Sequence, residues 1–169
     1  MDASGTFKVY RARPSDTEAI VDFVARATRG RVSVGRQSVL ERFGIKGMVL
    51  AWDADGQVVG LAGWRAENLI ARVDDFLIFP PELYATAGRL LIGDMEEAAR
   101  ELQCEVSMFF VPQRAAPGLI AFYQSCGYGR PEDLDGLPRT WKATIKEVEE
   151  QGRYVMLKQL REDLVLRPM

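Results

Sequence analysis

Apolar and polar positions alternate with two different periods along this chain, and the switches between them mark its elements. Residues 7–12 (Phe-Lys-Val-Tyr-Arg-Ala) alternate and predict a first strand. Ser15 and Glu18 then form a Ser-x-x-Glu capping box. Ile20, Phe23, Val24 and Ala27 give the helix behind it an apolar stripe. A Gly- and Arg-rich connection over 29–36 leads to a second short helix over 38–43, stopped at Gly44. Residues 47–53 and 57–65 predict two strands joined at Asp55-Gly56, a strong hairpin signal. A longer strand over 69–79 is ended by Pro80-Pro81.

The helical period returns from 86 to 102. Leu91, Met95, Ala98 and Leu102 form its buried stripe, with Asp94, Glu96, Glu97, Arg100 and Glu101 toward solvent. Residues 104–111 predict another strand. Leu119, Phe122, Tyr123 and Cys126 fall at i, i+3, i+4 and i+7, so they share one face of a short helix. Pro117 suits its first turn, and Gly127 suits the left-handed residue that ends it. Residues 128–138 are irregular, 140–150 are helical, and 153–160 form a last strand. The order predicts one α/β domain over residues 1–169, with a mixed, mostly antiparallel central sheet and helices on both faces. Tails at 1–6 and 161–169 are expected to fray. The first-half hairpins pair antiparallel. The strand–helix–strand unit over 69–111 has to pair in parallel, or with one strand between.

Composition narrows the chemistry. The 22 Lys and Arg against 24 Asp and Glu leave a formal charge of −2, so the chain has no global attraction to nucleic acid or to an anionic membrane. No apolar run approaches membrane-spanning length, and the N-terminus lacks a basic start followed by an apolar segment. The cytoplasm is the default compartment. Histidine is absent, which removes His-based triads and most catalytic zinc sites; no metal is expected. Cys104 and Cys126 both sit in apolar patterns and read as buried free thiols. Arg26, Arg29, Arg31 and Arg36 form a local basic run, first of all a solvated loop.

The junction at residues 76–89 carries chemistry of its own. A strand that ends, turns and opens a helix leaves backbone N–H groups free at the helix N-terminus. With the helix dipole they make an anion site. The Asp74-Asp75 pair on the strand before it supplies carboxylates, and Arg72 shares the parity of Asp74. An Asp–Arg structural pair at a sheet rim explains these residues as well as catalysis does.

The sequence Phe122-Tyr123-x-x-x-Gly127-Tyr128 resembles the Phe-Tyr-x-x-x-Gly-aromatic signature near the end of the GNAT superfamily of acyl-CoA-dependent N-acyltransferases, and the predicted element order is similar along almost the whole chain. The 140–150 helix stands as an insertion relative to the simplest members. The resemblance implies transfer of an acetyl group from acetyl-CoA to the amine of a small-molecule or peptide acceptor. It places Asp74 as general base, with Asp75 in that role if a bulge shifts the strand's phase. It makes Tyr123 the general acid for the departing thiolate. On the helix pattern alone, Tyr123 reads as core.

The resemblance also assigns the pantetheine arm to backbone at Leu77, Ile78 and Phe79, and the diphosphate to Leu83, Tyr84, Ala85, Thr86, Ala87, Gly88 and Arg89. The family's Gln/Arg-x-x-Gly-x-Gly/Ala loop falls on Leu83, Thr86 and Gly88, of which only Gly88 matches. The Asn that members often carry seven residues before the tyrosine is Ala116 here. These departures sustain a second expectation, a non-catalytic acyl-CoA-binding sensor or interaction domain. The basic run would roof the acceptor site and suit a carboxylate or phosphate there. The last strand and the 140–150 helix are the expected surfaces for a homodimer.

Overall fold

The structure, a computed structural model, describes residues 6–162 and 164. Most of the expected frayed tails, at 1–6 and 161–169, therefore lies outside the described residues. Six strands form one sheet in chain order: β1 (Lys8–Arg11), β2 (Gly47–Trp52), β3 (Val58–Glu67), β4 (Ile70–Ile78), β5 (Val106–Pro112) and β6 (Arg153–Gln159). β1/β2, β2/β3 and β5/β6 are antiparallel, and β4/β5 is parallel with no strand between. Five α-helices accompany them among the described residues: α1 (Thr17–Ala27), α2 (Arg36–Phe43), α3 (Arg89–Glu101), α4 (Pro117–Ser125) and α5 (Arg139–Glu150). Two compact units share the chain. One holds residues up to Arg65 with Asp75–Met95; the other holds Ala66–Asp74 with residues from Glu96 onward.

In the first unit β2 is buried on both faces, which is why it reads as a continuous apolar run. Met48 and Leu50 pack with Ile20, Phe23 and Val24 of α1 and Val39 of α2. Val49 and Ala51 pack with Leu91 of α3. A bulge interrupts β3: Ala51 faces Gly60, but Trp52 faces Val58, so Val59 is the extra residue. Val58 and Leu61, three apart, thereby share the α1/α2 side.

In the second unit Ile70, Val106, Met108, Val155 and Leu157 pack with Trp141, Ile145 and Val148 of α5. The alternate positions of β5 meet other partners: the Phe109 ring lies 4.7 Å from Tyr123 of α4, and Ser107 bonds Tyr128. Truncating Trp141 to Ala would cost about 3–5 kcal/mol at so buried a site.

Three helix details differ from expectation. A turn at Pro14–Asp16 precedes α1, and the cap is the Arg13 N–H on Asp16 Oδ2 at 2.8 Å, not Ser15 with Glu18. Proline's fixed φ starts that turn two residues early. A tight turn (Pro81–Leu83) and a π-helical turn (Tyr84–Gly88) come before α3. The widened turn rotates the stripe, so Leu91, Ile92, Met95 and Ala99 are buried, together with Glu96. Leu102, expected inside, is 58% exposed because α3 ends at Glu101 and Gln103 turns left-handed at φ 66°.

Candidate active site

The end of β4 and the turn after it belong to the first unit. The Phe79 N–H donates to the Val59 carbonyl at 3.0 Å and is committed to β3. Strand alternation turns the Leu77 N–H the same way and points the Phe76 and Ile78 N–H groups to the opposite edge. Of the three amides assigned to a pantetheine arm, Ile78 alone faces away from β3. Its side chain anchors it in the core, in a space left by Gly60, whose missing Cβ would lie 2.9 Å from Ile78 Cδ1.

Past Phe79 the backbone spends its donors internally. Pro80 and Pro81 have none. The Leu83 N–H bonds the Pro80 carbonyl at 3.0 Å, and the Tyr84 N–H bonds that of Pro81. Thr86 Oγ1 donates to the Leu83 carbonyl at 3.4 Å. No residue from Pro80 to Arg89 has a positive φ, so Thr86 stands without backbone strain where the family motif has glycine. Ala87 and Gly88 are buried, and Ala85 and Arg89 are exposed. Glu82 puts an exposed negative charge into this first turn. Tyr84 packs 6.3 Å from the Phe76 ring, and burial pushes its phenol up from the ordinary value.

Asp75 is also in the first unit. Its Oδ2 accepts from Lys46 Nζ at 3.0 Å and from Arg42 Nη1 at 3.3 Å. A Cβ at Gly63 would stand 2.9 Å from that oxygen and 3.1 Å from Lys46 Cδ, so the glycine makes room for the pair. The sequence patterns single out neither Arg42 nor Lys46; their charges become a site only when the end of α2 and its link to β2 are brought against Asp75. Two members of the basic run are engaged elsewhere, Arg26 donating to the Val58 carbonyl at 3.1 Å and Arg36 pairing with Glu18 at 2.9 Å, while Arg29 and Arg31 are exposed.

Asp74 and Tyr123 fall in the second unit. The parallel ladder of β4 and β5 runs from Ile70↔Val106 to Val73↔Phe109 and stops there, although β4 continues to Ile78 and β5 to Pro112. Half-buried Asp74 is the next residue, and its carbonyl accepts from Arg153 Nη1 at 3.3 Å. Arg72 is buried, lies over the Phe110 ring at 5.3 Å, and pairs with Glu147 at 3.1 Å and Glu67 at 3.5 Å. The 140–150 helix thus supplies the counter-charge for the β4 arginine. That partner is invisible in sequence because it lies 75 residues away.

Tyr123 is 3% exposed in an aromatic group with Phe109, Phe122 and Tyr128. Tyr128 donates its hydroxyl to Ser107 Oγ at 2.9 Å. Burial first, and the Glu96 carboxylate second, push its phenol well above the ordinary value. Glu96 is paired with Lys158 at 2.8 Å. Ala116 takes the cap position of α4 without a side-chain bond. A cleft of about 780 Å³ lies in this unit between Ile120, Gln124, Arg130 and Tyr154; neither Asp74 nor Tyr123 lines it. Cys104 is buried, which pushes its thiol up, and Cys126 is half-buried. Among the described residues no three His, Cys, Asp or Glu side chains gather as metal ligands, and no helix is long and apolar enough to cross a membrane.

No protein-family model and no curated protein matches the sequence. Solved structures do match the fold. A GNAT-superfamily phosphinothricin acetyltransferase from Sinorhizobium meliloti, in complex with acetyl-CoA, superposes with a TM-score of 0.69 at 17% identity, over 97% of this chain and 94% of that one. The ribosomal-protein-S18-alanine N-acetyltransferase of Escherichia coli gives 0.67 at 15% identity, over 95% and 99%. A PaiA N-acetyltransferase from Thermoplasma acidophilum, in complex with coenzyme A, gives 0.65 at 14% identity, over 91% and 99%. The chain has the fold of the GNAT-superfamily acetyltransferases.

Proposed function

We propose that the chain is an N-acetyltransferase that moves an acetyl group from acetyl-CoA to an amine. The observation that carries this reading is the end of the β4/β5 ladder at Val73↔Phe109, directly before Asp74, within a fold shared with acetyltransferases. A strand edge beyond the end of a ladder suits an arm that itself contains amides, and the Ile78 N–H fits that use. The turn before α3 fits a diphosphate less well, since Leu83 and Tyr84 donate internally and Glu82 is acidic. Ala85, Thr86, Ala87, Gly88 and the Arg89 guanidinium are the groups that would hold it.

Acetyl-CoA, when bound, supplies the acyl group on a thioester and a thiol as leaving group. Asp74 takes a proton from the acceptor's ammonium, directly or through water. The Ile78 N–H donates to the carbonyl oxygen as charge builds there. Tyr123 Oη gives its proton to the sulfur. An amide C–N bond forms and the C–S bond breaks; of the two protons the ammonium loses, one leaves by Asp74 and the other restores the Tyr123 phenol, so that a neutral thiol departs.

The same internal bonds at Leu83 and Tyr84 favour a second reading, an acyl-CoA-binding sensor or interaction domain without turnover. Calorimetric titration with acetyl-CoA, and separately with desulfo-CoA, tests both. Saturable binding of one equivalent is expected. Absence of binding in the millimolar range would sink the CoA-dependent readings together. Rates that fall in Asp74→Asn and Tyr123→Phe separate the enzyme from the sensor.

A further inference from the structure

Arg153 opens β6 and stands opposite Pro112, the last residue of β5. Its guanidinium nevertheless touches β4, at the Asp74 carbonyl. Two strand spacings, about 9–10 Å, separate β6 from β4, so the side chain extends across the end of β5. It arrives one residue beyond Val73, where the parallel ladder has stopped. The bond is long at 3.3 Å, exposed, and made to a neutral oxygen. Other arginines of this unit are better held: Arg72 has Glu147 and Glu67, and Arg130 has Glu132 and the Tyr154 ring. Among the described residues no carboxylate pairs with Arg153. A permanently charged fork therefore stands beside Asp74 on one weak bond that an incoming carboxylate would displace.

We infer that Arg153 positions the acceptor and that the acceptor is an amino acid or short ω-amino acid, its ammonium at Asp74 and its carboxylate at Arg153. The inference rests on the acetyltransferase reading and deepens it. The reach follows from covalent geometry, because the carbonyl and carboxylate of one Asp lie within roughly 5 Å of each other. A ligand that meets both Asp74 and the guanidinium on its carbonyl has its two charges only a few bonds apart.

The test is initial-rate kinetics with acetyl-CoA and matched acceptors: α-amino acids, their amides and methyl esters, and ω-amino acids of increasing length. Wild type, Arg153→Ala and Arg153→Lys are compared. Wild type should favour the free acids by at least about tenfold in kcat/KM, and Arg153→Ala should raise KM for the acids about 10- to 100-fold while rates with amides and KM for acetyl-CoA stay within about twofold. Arg153→Lys should recover part of the preference. Indifference of wild type to the carboxylate, or a preference that survives in Arg153→Ala, would overturn the inference. If acetyl-CoA binds but no acceptor is acetylated, calorimetric titration of the acids in the presence of CoA decides. Binding that is lost in Arg153→Ala keeps the acid site and sinks the transfer reading; no binding to wild type overturns both.

Discussion

Glu82 offers a direct test of where a CoA diphosphate would lie. It is exposed, in the turn that leads into α3, beside two prolines that have no N–H to offer. Glu82→Gln removes one negative charge and changes no packing. At a separation of about 8 Å in water, each pair of unit charges repels by ~0.5 kcal/mol, so a doubly charged diphosphate is opposed by ~1 kcal/mol, or about fivefold in affinity at low salt. With a Debye length near 10 Å at 0.1 M salt, the gain should fall to about twofold. Calorimetric titration with CoA at both ionic strengths, for wild type and Glu82→Gln, measures the difference. Pantetheine, which lacks the diphosphate, is the control and should bind both proteins alike. An unchanged CoA affinity at low salt would refute a diphosphate at this turn. So would an equal gain for pantetheine, because the effect would then not be electrostatic.

Tyr123→Phe and Asp74→Asn should each lower kcat by about 10²–10⁴-fold and leave the CoA dissociation constant unchanged; steady-state rates beside calorimetry check this. Asp75→Asn should show its loss in urea unfolding instead, since it strips the half-buried Lys46–Arg42 pair of its counter-charge. Gly63→Ala forces a Cβ against Asp75 Oδ2 and Lys46 Cδ and should cost about 1–3 kcal/mol in the same assay. Tyr128 has its folded pKa raised by burial, so the unfolded chain loses that proton first. Stability should be intact below the ordinary tyrosine value and decline as pH rises above it. Tyr128→Phe should flatten that decline in unfolding curves taken from pH 8 to pH 11, and a decline of equal slope in the variant would contradict the assignment.

Local patterning determined the elements of this protein. The alternation of 7–12 and 47–53, the Asp55-Gly56 turn and the Pro117-to-Gly127 helix each carry their own periodicity and punctuation, so the order of strands and helices was legible, and with it the resemblance to the acetyltransferase fold. Patterning failed where a neighbour in space sets the phase. Val59 is an extra residue in β3 only because β2 lies against it. The hairpin at Asn68 and Leu69 takes two left-handed residues with no glycine to announce it. Glu96 is tolerated in the interior because Lys158, 62 residues away, neutralises it.

The candidate site divides the same way. Asp74, Tyr123 and Gly88 could be named from residue type and spacing. That Arg72 belongs to Glu147, that Asp75 holds Lys46 and Arg42, that Phe79 has already given its amide to Val59, and that Arg153 reaches Asp74 were decided by the tertiary structure. Charges and backbone donors have no fixed partner in a linear sequence; folding chooses one for each by bringing strands from distant parts of the chain to within hydrogen-bonding distance.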